Sequence, residues 1–472
     1  MWHSAYVGIN IITQWYFFKI FYTHMNTFNR FFLLTLLSCV SIASFSQETK
    51  HVIIISIDGL RPDFYREDHW PTPTLHKLVK EGVSADGVRG VFPSVTYPSH
   101  TTILTGAMPA RHGIYYNSPF EPMGATGKWY WESNGIKVPT LWEAAKQAGL
   151  TTASVYWPVS VGAKVDYNIP EIWTLDKTKE RTSPQRELST PLGLYEEIEK
   201  EATGKLNAEK LNSDYASADE NGSRMVAYLI KKYKPNLLTF HIFSVDHAEH
   251  ADGRDGEHVR QSLAGADHAV NNILEAIVQA GIKENTTVIV TGDHGFVDIH
   301  SSLAPNVWLA KEGLYMKNGD QVVWKAQFHT SGAAAFLMLK DKDDKTTLTT
   351  VRNLLNDLPA QQRKLFRVVE RSELDRIGTD PNVALALAPI EGIAMSNALT
   401  GEVLRPASGG THGFFPDFAH IQTGFIAAGG NVQEGKTITL MGLEDIAPLV
   451  ARLLNLNFTA PDGILYPGIL KK

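Results

Sequence analysis

Residues 51–59 read HVIIISIDG, and this stretch decides the fold class of the chain. The β-branched apolar run 51–57 is typical of a buried strand in a parallel sheet. Asp58 follows it directly, and open α/β sheets place their functional sites at the carboxyl ends of central strands. Asp58 is therefore either a turn residue or part of a site, and the rest of the chain has to decide between these two interpretations.

A second buried strand is predicted for residues 237–243, LLTFHIF, and the segment SVDHAEH follows it. Asp246 and His250 are four positions apart, so one helical turn places both side chains on the same face. This spacing suits two ligands of a shared metal ion.

A third strand is predicted within TTVIVTGDHGF, residues 286–296, which brings Asp293 and His294 to the strand end. Two adjacent residues can both bind a metal if the backbone turns between them. Gly292 and Gly295 permit such a turn, because glycine is the least restricted residue.

Residues 92–106, FPSVTYPSHTTILTG, predict a helix with a polar start. Pro98 suits the first helical turn, where its missing N–H is not needed. Thr96 then lies at the helix N-terminus, where free backbone N–H groups and the helix dipole favour anions such as phosphate. Thr96 is a candidate nucleophile that needs a base or a metal to lower its pKa. The alternative is that Thr96 merely caps the helix.

Two loops add polar candidates to this set. Asn117 ends the loop MPARHGIYYN, where its amide can donate to a phosphate oxygen or simply be an ordinary loop side chain. His412 lies in the glycine-rich loop GGTHGFFPDFAH.

The other patterns complete an α/β arrangement, in which strands alternate with helices and the helices pack on a central sheet. The helices are predicted at 72–82, 139–149, 219–232, 258–281 and 345–357. Residues 305–400 look mixed and contain a Lys-Asn-Gly-Asp turn between strand-like runs, which predicts a hairpin. We therefore expect one domain over 48–472 with a small mixed subdomain near 305–400.

The composition is that of an ordinary globular protein, with 472 residues, 43% of them hydrophobic and 20% charged, and a net charge of −6. No long basic run is visible, which argues against a nucleic-acid polymer as the main partner.

The N-terminus predicts export. Residues 25–47 combine a positive charge, an apolar run and small residues, as in a secretory signal peptide, so we expect 1–47 to be removed and 1–24 to precede the true start at Met25. The apolar run is shorter than the ~20 residues of a spanning helix. Cys39 loosely fits a lipobox, but the apolar residues after it argue against a lipid anchor. We expect a periplasmic or secreted protein.

Cys39 is also the only cysteine, so an internal disulfide is excluded and any metal site must use His, Asp and Glu. The candidates delivered by strand ends and loops suit a pair of zinc ions that need no thiolate. These candidates are Asp58, Thr96, Asp246, His250, Asp293, His294 and His412.

Seven motifs lie between position 53 and about 417 of the chain. In the order of the sequence they are IIISIDGLRPDF, FPSVTYPSHTTILTG, RHGIYYN, YWPVS, SVDHAEH, VTGDHGF and GTHGFFPD. As a set they resemble the nucleotide pyrophosphatase/phosphodiesterase (type I phosphodiesterase) family of the alkaline phosphatase superfamily. The resemblance implies an alkaline-phosphatase-like α/β sandwich, a central mostly parallel sheet with helices on both faces, and two zinc ions per chain. Val159 departs from the pattern, since the family often has glycine there.

The resemblance also implies roles for individual residues. Thr96 matches the nucleophile that becomes phosphorylated, and Asn117 matches a residue that binds a non-bridging phosphate oxygen. Tyr97 resembles an aromatic residue that stacks on a nucleobase, and Trp173 is a looser match for the opposite face. The two zinc sites correspond to Asp58, Thr96, Asp293 and His294 in one, and to Asp246, His250 and His412 in the other.

The implied reaction is the hydrolysis of a small phosphodiester or pyrophosphate substrate, of the nucleotide type, through a phosphothreonine, with release of nucleoside 5′-monophosphate. A phosphomonoesterase or a phospholipid-head-group phosphodiesterase would share the metal site. A monoesterase usually needs an extra cation, for which Lys128, Lys164 and Arg254 are candidates. A sulfatase is disfavoured because the nucleophile is neither Cys nor Ser, and a non-catalytic binding module would be expected to lack a ligand. Selectivity is expected in loops 118–136 and 160–220.

Overall fold

The computed structural model describes residues 49–206, 215–318 and 321–471. The predicted signal peptide and Cys39 lie outside these residues. The described residues from Thr49 onward form one compact unit by their contacts. The small subdomain near 305–400 stays a prediction.

The strands and helices of the described residues are numbered in chain order. The strands are β1 (His51–Ile57), β2 (Gly82–Ala85), β3 (Val88–Arg89), β4 (Thr152–Val155), β5 (Tyr167–Ile169), β6 (Leu237–Ile242), β7 (Thr286–Thr291), β8 (Val297–Leu303), β9 (Tyr315–Asn318), β10 (Gln321–Trp324), β11 (Ala326–Ser331), β12 (Ala334–Leu339), β13 (Phe366–Glu370), β14 (Leu385–Pro389), β15 (Gly392–Met395), β16 (Leu404–Pro406), β17 (Gly410–Thr411), β18 (Phe425–Gly429), β19 (Lys436–Ile438) and β20 (Met441–Gly442). The helices are α1 (Asp63–Arg66), α2 (Pro73–Glu81), α3 (Thr96–Thr105), α4 (Pro109–His112), α5 (Leu141–Gln147), α6 (Ser183–Leu188), α7 (Leu194–Ile198), α8 (Tyr215–Tyr233), α9 (Ser244–Asp252), α10 (Glu257–Gln279), α11 (Pro305–Lys311), α12 (Lys345–Asp357), α13 (Ala360–Arg363), α14 (Arg371–Arg376) and α15 (Ile446–Leu453).

A large twisted sheet forms the centre of the molecule. Across the part of the chain that is described, its strand order is β19-β2-β18-β7-β1-β6-β4-β5. Strands β7, β1, β6, β4 and β5 pair in parallel, whereas β18 is antiparallel to both of its neighbours. The predicted central, mostly parallel sheet is therefore confirmed.

Strand β1 has one hydrophobic core on each side because successive side chains point to opposite faces. Ile53, Ile55 and Ile57 pack into the core that contains α2, α8 and α10. Val52 and Ile54 pack into the core that contains α3, α5 and α15. All five side chains are fully buried, and truncating one such isoleucine to alanine is expected to cost about 2–5 kcal/mol. The predicted placement of helices on both faces is confirmed.

Local signals explain several of these helices. Helix α5 begins with the predicted capping box, in which Thr140 and Glu143 bond each other's backbone N–H. Helix α10 buries the predicted apolar stripe of Val259, Leu263 and Val270 against the sheet. No described helix combines the length and hydropathy that a bilayer crossing requires.

The segment after β8 forms separate small sheets. Strands β11, β12, β14 and β13 pair in an antiparallel sheet. The predicted hairpin is present as β9 and β10, with Asn318 opposite Gln321. Strand β17 pairs with β8, the strand that follows β7 along the chain, and leads directly into His412.

Candidate active site

The carboxyl ends of β1, β6 and β7 meet at one edge of the sheet. Ile57 of β1 pairs with Ile242 of β6, and Ser56 pairs with Thr291 of β7. The residues that follow the three strands therefore emerge side by side. This register, together with β17, brings together six predicted metal ligands, which we call the strand-end cluster: Asp58, Asp246, His250, Asp293, His294 and His412.

One group in the strand-end cluster centres on Asp246. Its Oδ1 lies 3.5 Å from His250 Nε2 and 3.5 Å from His412 Nε2. Helix α9 produces the first contact, because Asp246 and His250 are one turn apart as predicted. The other ring nitrogens, both Nδ1, lie 3.0 Å from the carbonyl oxygens of Gly410 and Ser94. These contacts orient both imidazoles with Nε2 towards Asp246, and backbone carbonyls orient metal-binding histidines in the same way in known metal sites.

The second group contains Asp58, Asp293 and His294. His294 Nε2 lies 3.3 Å from Asp58 Oδ1 and 3.1 Å from Asp293 Oδ2. Asp246 is also close enough to join Asp58 and His294 around a single ion. The ring of His294 stacks on that of His412 at 3.5 Å, so the two groups are contiguous. Asp246 thus lies between the two predicted metal sets, whereas the family resemblance assigns it to one of them.

The charges of the strand-end cluster fit bound cations. Asp58, Asp246 and Asp293 have no Lys or Arg partner among the described residues, and one oxygen of each is buried without a hydrogen bond. Burial raises the pKa of Asp58 and of Asp293 well above the usual value, and each is raised further by a neighbouring aspartate. Uncompensated buried carboxylates are costly, and metal ions relieve that cost.

Two histidines of the cluster, His294 and His412, do not supply the missing positive charge. Burial lowers the pKa of His294 well below its usual value, and His412 and His250 lower it further. Burial likewise lowers the pKa of His412 to about 4. Neutral imidazoles are metal ligands rather than counter-ions at neutral pH. The donor set of carboxylates and imidazoles therefore fits zinc.

Glycines allow the close packing around the cluster. Gly59 has φ +76°, and a Cβ there would lie 2.5 Å from Glu249 Oε2. Its backbone N–H donates to Asp293 Oδ1 at 3.1 Å. Gly292 and Gly295 do not have positive φ. They are required because a Cβ would meet Thr423 Oγ1 in the first case and backbone oxygens in the second, so close approach rather than a sharp turn explains these two glycines.

Thr96 is the first residue of α3, as the sequence predicted, and the N-cap position is occupied by Val95 rather than by Thr96. Thr96 is buried at 7% exposure and lines a cavity of about 280 Å³ together with Asp58, Asp246 and Asn117. The Asn117 Oδ1 accepts a 2.9 Å hydrogen bond from the Tyr97 backbone N–H. That bond fixes the amide orientation and leaves its N–H groups free to serve as donors.

Two loops contribute further residues to the lining of the cavity, which we call the cavity wall: Trp129, Glu171, Trp173 and Arg181. The rings of Trp129 and Trp173 contact each other edge to face at 5.1 Å. Trp173 thus lines the cavity that contains Thr96, and its stacking role stays a prediction. The wall falls inside the loops 118–136 and 160–220 that were expected to carry selectivity.

Tyr97 lies behind the cavity wall. Its ring is fully buried, and Trp129 covers it at 5.2 Å between ring centroids. Its hydroxyl donates to Glu171 Oε1 at 3.2 Å. Burial, and then the Glu171 charge, raise the pKa of Tyr97 well above its usual value. Trp129 therefore lines the cavity and the ring of Tyr97 does not, and the stacking role of Tyr97 stays a prediction.

The structure adds His241, which the sequence analysis did not single out. His241 Nε2 lies 3.1 Å from Asp58 Oδ2, and its Nδ1 lies 3.5 Å from Glu171 Oε2. A chain of polar contacts therefore runs from the strand-end cluster through His241 and Glu171 to Tyr97. The sequence did offer a signal for His241, because this polar residue interrupts the apolar run LLTFHIF of a predicted buried strand.

The three cations considered for a monoesterase do not line this cavity. Lys164 pairs with Glu143 at 3.3 Å on the surface. Arg254 donates to the carbonyl oxygen of Phe296 and lies near Asp63. Lys128 is exposed and outside the lining.

Val159 marks a local departure from the family pattern. It has φ +58°, a conformation that suits glycine and strains a β-branched residue. Its side chain is buried with Tyr97, Trp131 and Ile172. Packing beneath the cavity wall therefore offsets the strain.

Two curated proteins are similar in sequence to this chain over most of its length. Human ectonucleotide pyrophosphatase/phosphodiesterase family member 1 is 23% identical over 441 residues, which are 88% of this chain and 41% of that protein. The venom phosphodiesterase CdcPDE of Crotalus durissus collilineatus is 23% identical over 428 residues, 88% of this chain and 46% of that protein. The chain thus spans less than half the length of these relatives.

Among solved structures, murine ectonucleotide pyrophosphatase / phosphodiesterase 5, as an inactive variant in complex with AMP, has the same fold. The TM-score is 0.63 at 21% identity, covering 87% of this chain and 96% of that one. The family model for type I phosphodiesterase / nucleotide pyrophosphatase matches residues 52–383. That match covers most of the chain and contains all the strand-end cluster except His412, and the chain therefore belongs to the type I phosphodiesterase / nucleotide pyrophosphatase family.

Proposed function

We propose that this chain is a two-zinc hydrolase of phosphodiester and pyrophosphate bonds in nucleotides. The observation that carries the proposal is the position of Thr96, at the N-terminus of α3 and on the same cavity as Asp58 and Asp246. A hydroxyl beside uncompensated carboxylates has the surroundings in which a metal activates a nucleophile.

The zinc ligands are proposed as two sets. Asp58, Thr96, Asp293 and His294 would hold one ion, and Asp246, His250 and His412 the other. Bound zinc would supply Lewis acidity that lowers the pKa of the attacking hydroxyl and offsets charge on the leaving oxygen.

Each residue then has a defined part in two successive displacements. Thr96 Oγ1 gives up its proton and attacks phosphorus, the bond to the leaving alcohol or phosphate breaks, that group takes up a proton from water, and the nucleoside 5′-phosphate stays esterified to Thr96 as a phosphothreonine diester. The Asn117 amide donates to a non-bridging oxygen, where negative charge is held during the transfer. Water then attacks the phosphothreonine, which releases nucleoside 5′-monophosphate and restores Thr96. The N-terminal dipole of α3 favours the bound phosphate throughout.

A nucleotide substrate is favoured by the aromatic cavity wall. Trp129 and Trp173 offer flat faces of the kind on which nucleobases stack. The relatives named above are nucleotide pyrophosphatases and phosphodiesterases, and the murine structure was determined with AMP. These similarities support a nucleoside rather than a lipid head group.

Export to the periplasm or the medium is proposed from the predicted signal peptide. N-terminal sequencing of the native protein tests it. A mature chain that begins shortly after Gln47 supports export, and a chain that retains residues 25–47 contradicts it.

The test of the activity compares kcat/KM for the p-nitrophenyl ester of thymidine 5′-monophosphate, p-nitrophenyl phosphate and p-nitrophenyl phosphocholine in zinc-replete buffer. The proposal expects a strong preference for the thymidine ester and two zinc ions per chain by elemental analysis. Preference for the monoester would move the protein to the phosphomonoesterases, and preference for the phosphocholine ester to the head-group phosphodiesterases. Absence of zinc after supplementation would contradict the metal assignment.

A further inference from the structure

We propose that the cavity binds a second anionic group of its substrate, remote from the reacting phosphate, on a polar surface formed by Arg181, Thr182 and Gln185. This inference rests on the proposed function and specifies which substrates the site selects. We call the three residues the anion surface.

Arg181 is held in place without a carboxylate. Its guanidinium carbon lies 5.4 Å from the centroid of the Trp173 ring, a cation–π contact. No described carboxylate lies within ion-pair distance of Arg181, in contrast to Arg186, which is paired with Glu196 and Glu199 on the same segment. The N–H donors of Arg181 therefore remain free for a ligand, and their planar fork suits a phosphate.

The neighbours of Arg181 extend the same surface. Thr182 and Gln185 also line the cavity, and both are more than nine-tenths buried. The Gln185 Oε1 is buried and has no hydrogen-bond partner among the described residues. Because Oε1 is an acceptor, it would bond a hydroxyl or a water molecule held by the ligand, and the N–H₂ group of the same amide is the donor that an anion requires.

The charge distribution of the cavity shows why a second anion would go to Arg181. Among the described residues that line the cavity, Arg181 is the only lysine or arginine. The lining residues that carry a carboxylate are Asp58, Glu171 and Asp246. The zinc ligands Asp58 and Asp246 belong to the reacting phosphate. The negative charge of Glu171 repels a second phosphate of the substrate, whereas the positive charge of Arg181 attracts it.

This anion has two chemical sources in a nucleotide. It is either a terminal phosphate of the leaving group, as in ATP, or a phosphate on the nucleoside sugar. The chemistry recognised by the guanidinium is the same in both cases, and a choice of substrates separates them.

The test measures kcat/KM of the zinc-loaded protein and of Arg181→Ala with three substrates. These are the 5′-p-nitrophenyl ester of thymidine 5′-monophosphate, the 5′-p-nitrophenyl ester of thymidine 3′,5′-bisphosphate, and ATP. We expect Arg181→Ala to lower the ratio of kcat/KM for one anion-bearing substrate to that for the plain ester by about tenfold or more, mainly through KM. Loss with ATP assigns the leaving group, and loss with the bisphosphate assigns the sugar.

Two further variants complete the design. Arg181→Lys keeps the charge without the fork, so it should restore part of the ratio. Lys128→Ala removes one positive charge from an exposed position outside the cavity and should leave the ratio unchanged. Unchanged ratios for Arg181→Ala with both anion-bearing substrates, or an equal change for Lys128→Ala, would overturn the inference. Failure of the unaltered protein to hydrolyse any of the three would instead refute the proposed function and, with it, this inference.

Discussion

The strand-end cluster and the cavity wall face the same cavity but are built differently. The cluster residues follow strands or lie on α9, and Asp293 and His294 are fully buried. The wall residues Trp129 and Trp173 are half-buried in loops, and Arg181 is exposed. A rigid cluster keeps the metal geometry that phosphoryl transfer requires, whereas loop residues can change to suit another substrate. We therefore expect the cluster to determine the reaction chemistry and the wall to determine the selectivity.

The largest effect is expected from Thr96→Ala, which should lower kcat about a thousandfold or more because it removes the attacking oxygen. Zinc content, measured by elemental analysis, should change little, since the carboxylates and imidazoles remain. Thr96→Ser keeps a hydroxyl and serves as the control, with part of the activity retained. Full activity of the alanine variant would remove Thr96 from the chemistry.

The next largest effect is expected from Asp246→Asn, because Asp246 lies between both metal groups. Activity should fall by more than about a hundredfold, because loss of a residue that only hydrogen-bonds a metal ligand already costs up to about a hundredfold. Zinc per chain should fall as well. Asp252→Asn on the same helix, where Asp252 pairs with exposed His258, is the matched control and should retain zinc and activity. Two tightly bound zinc ions in Asp246→Asn would contradict a shared ligand.

His241 tests where the cluster ends. His241→Phe removes the contact with Asp58 and should weaken zinc binding about 10–100-fold in a chelator competition assay. His241→Gln places an amide near the position of Nε2 and should recover part of that affinity. Equal affinities in both variants and the unaltered protein would show that His241 acts with the wall alone.

Trp173→Ala addresses selectivity. It should raise KM for the thymidine ester about tenfold, within the ~1–3 kcal/mol of base stacking, with a small effect on kcat. The KM for bis-p-nitrophenyl phosphate, which lacks a nucleobase, should change less. Trp324→Ala, in the β9–β10 hairpin and away from the cavity, is the control. A large fall in kcat with both substrates would contradict the expectation that the wall acts on selectivity and the cluster on the reaction itself.

The smallest effect on activity is expected from substitution of Asp219, which contacts the N-terminus of α9. Its two carboxylate oxygens accept the backbone N–H groups of Phe243 and Ser244 at 2.9 Å. Burial raises the pKa of Asp219 to about 6 from an ordinary 3.8. A raised acid pKa favours the protonated folded state, so the stability from this group is full below pH 4 and declines as pH rises to about 6.

The measurement is the free energy of unfolding against pH for the unaltered protein and Asp219→Asn. Between about pH 4 and 7 the free energy of unfolding of the unaltered protein should fall by about 3 kcal/mol more than that of the variant. This figure follows from about 1.36 kcal/mol per unit of pKa difference between the folded and unfolded states. If the two proteins gave parallel curves of unfolding free energy against pH, the pKa of Asp219 would not differ between the folded and unfolded states. Zinc binding to either protein at pH 7 should differ little, because Asp219 contacts backbone rather than a ligand.

Local sequence patterns were enough to predict the main elements and most of the cluster. The apolar runs that form β1, β6 and β7 are continuous, and their ends are followed by acids and histidines. Helix α9 fixes the spacing of Asp246 and His250 through its own geometry. These are local relations, in which residues near in sequence must be near in space. The motif set then identified the family, and with it the role expected of Thr96.

The contacts across the cavity, in contrast, depend on the folded chain. Asp246 reaches both metal groups because β6 pairs beside β1. His241 touches Asp58 from the neighbouring strand, and Trp129 covers Tyr97 from a distant loop. Arg181 comes from a segment whose local pattern is merely polar, and its role depends on Trp173 and on the lack of a carboxylate nearby among the described residues. Local periodicity carries no information about contacts of this kind, because they arise from the packing of loops on a finished sheet.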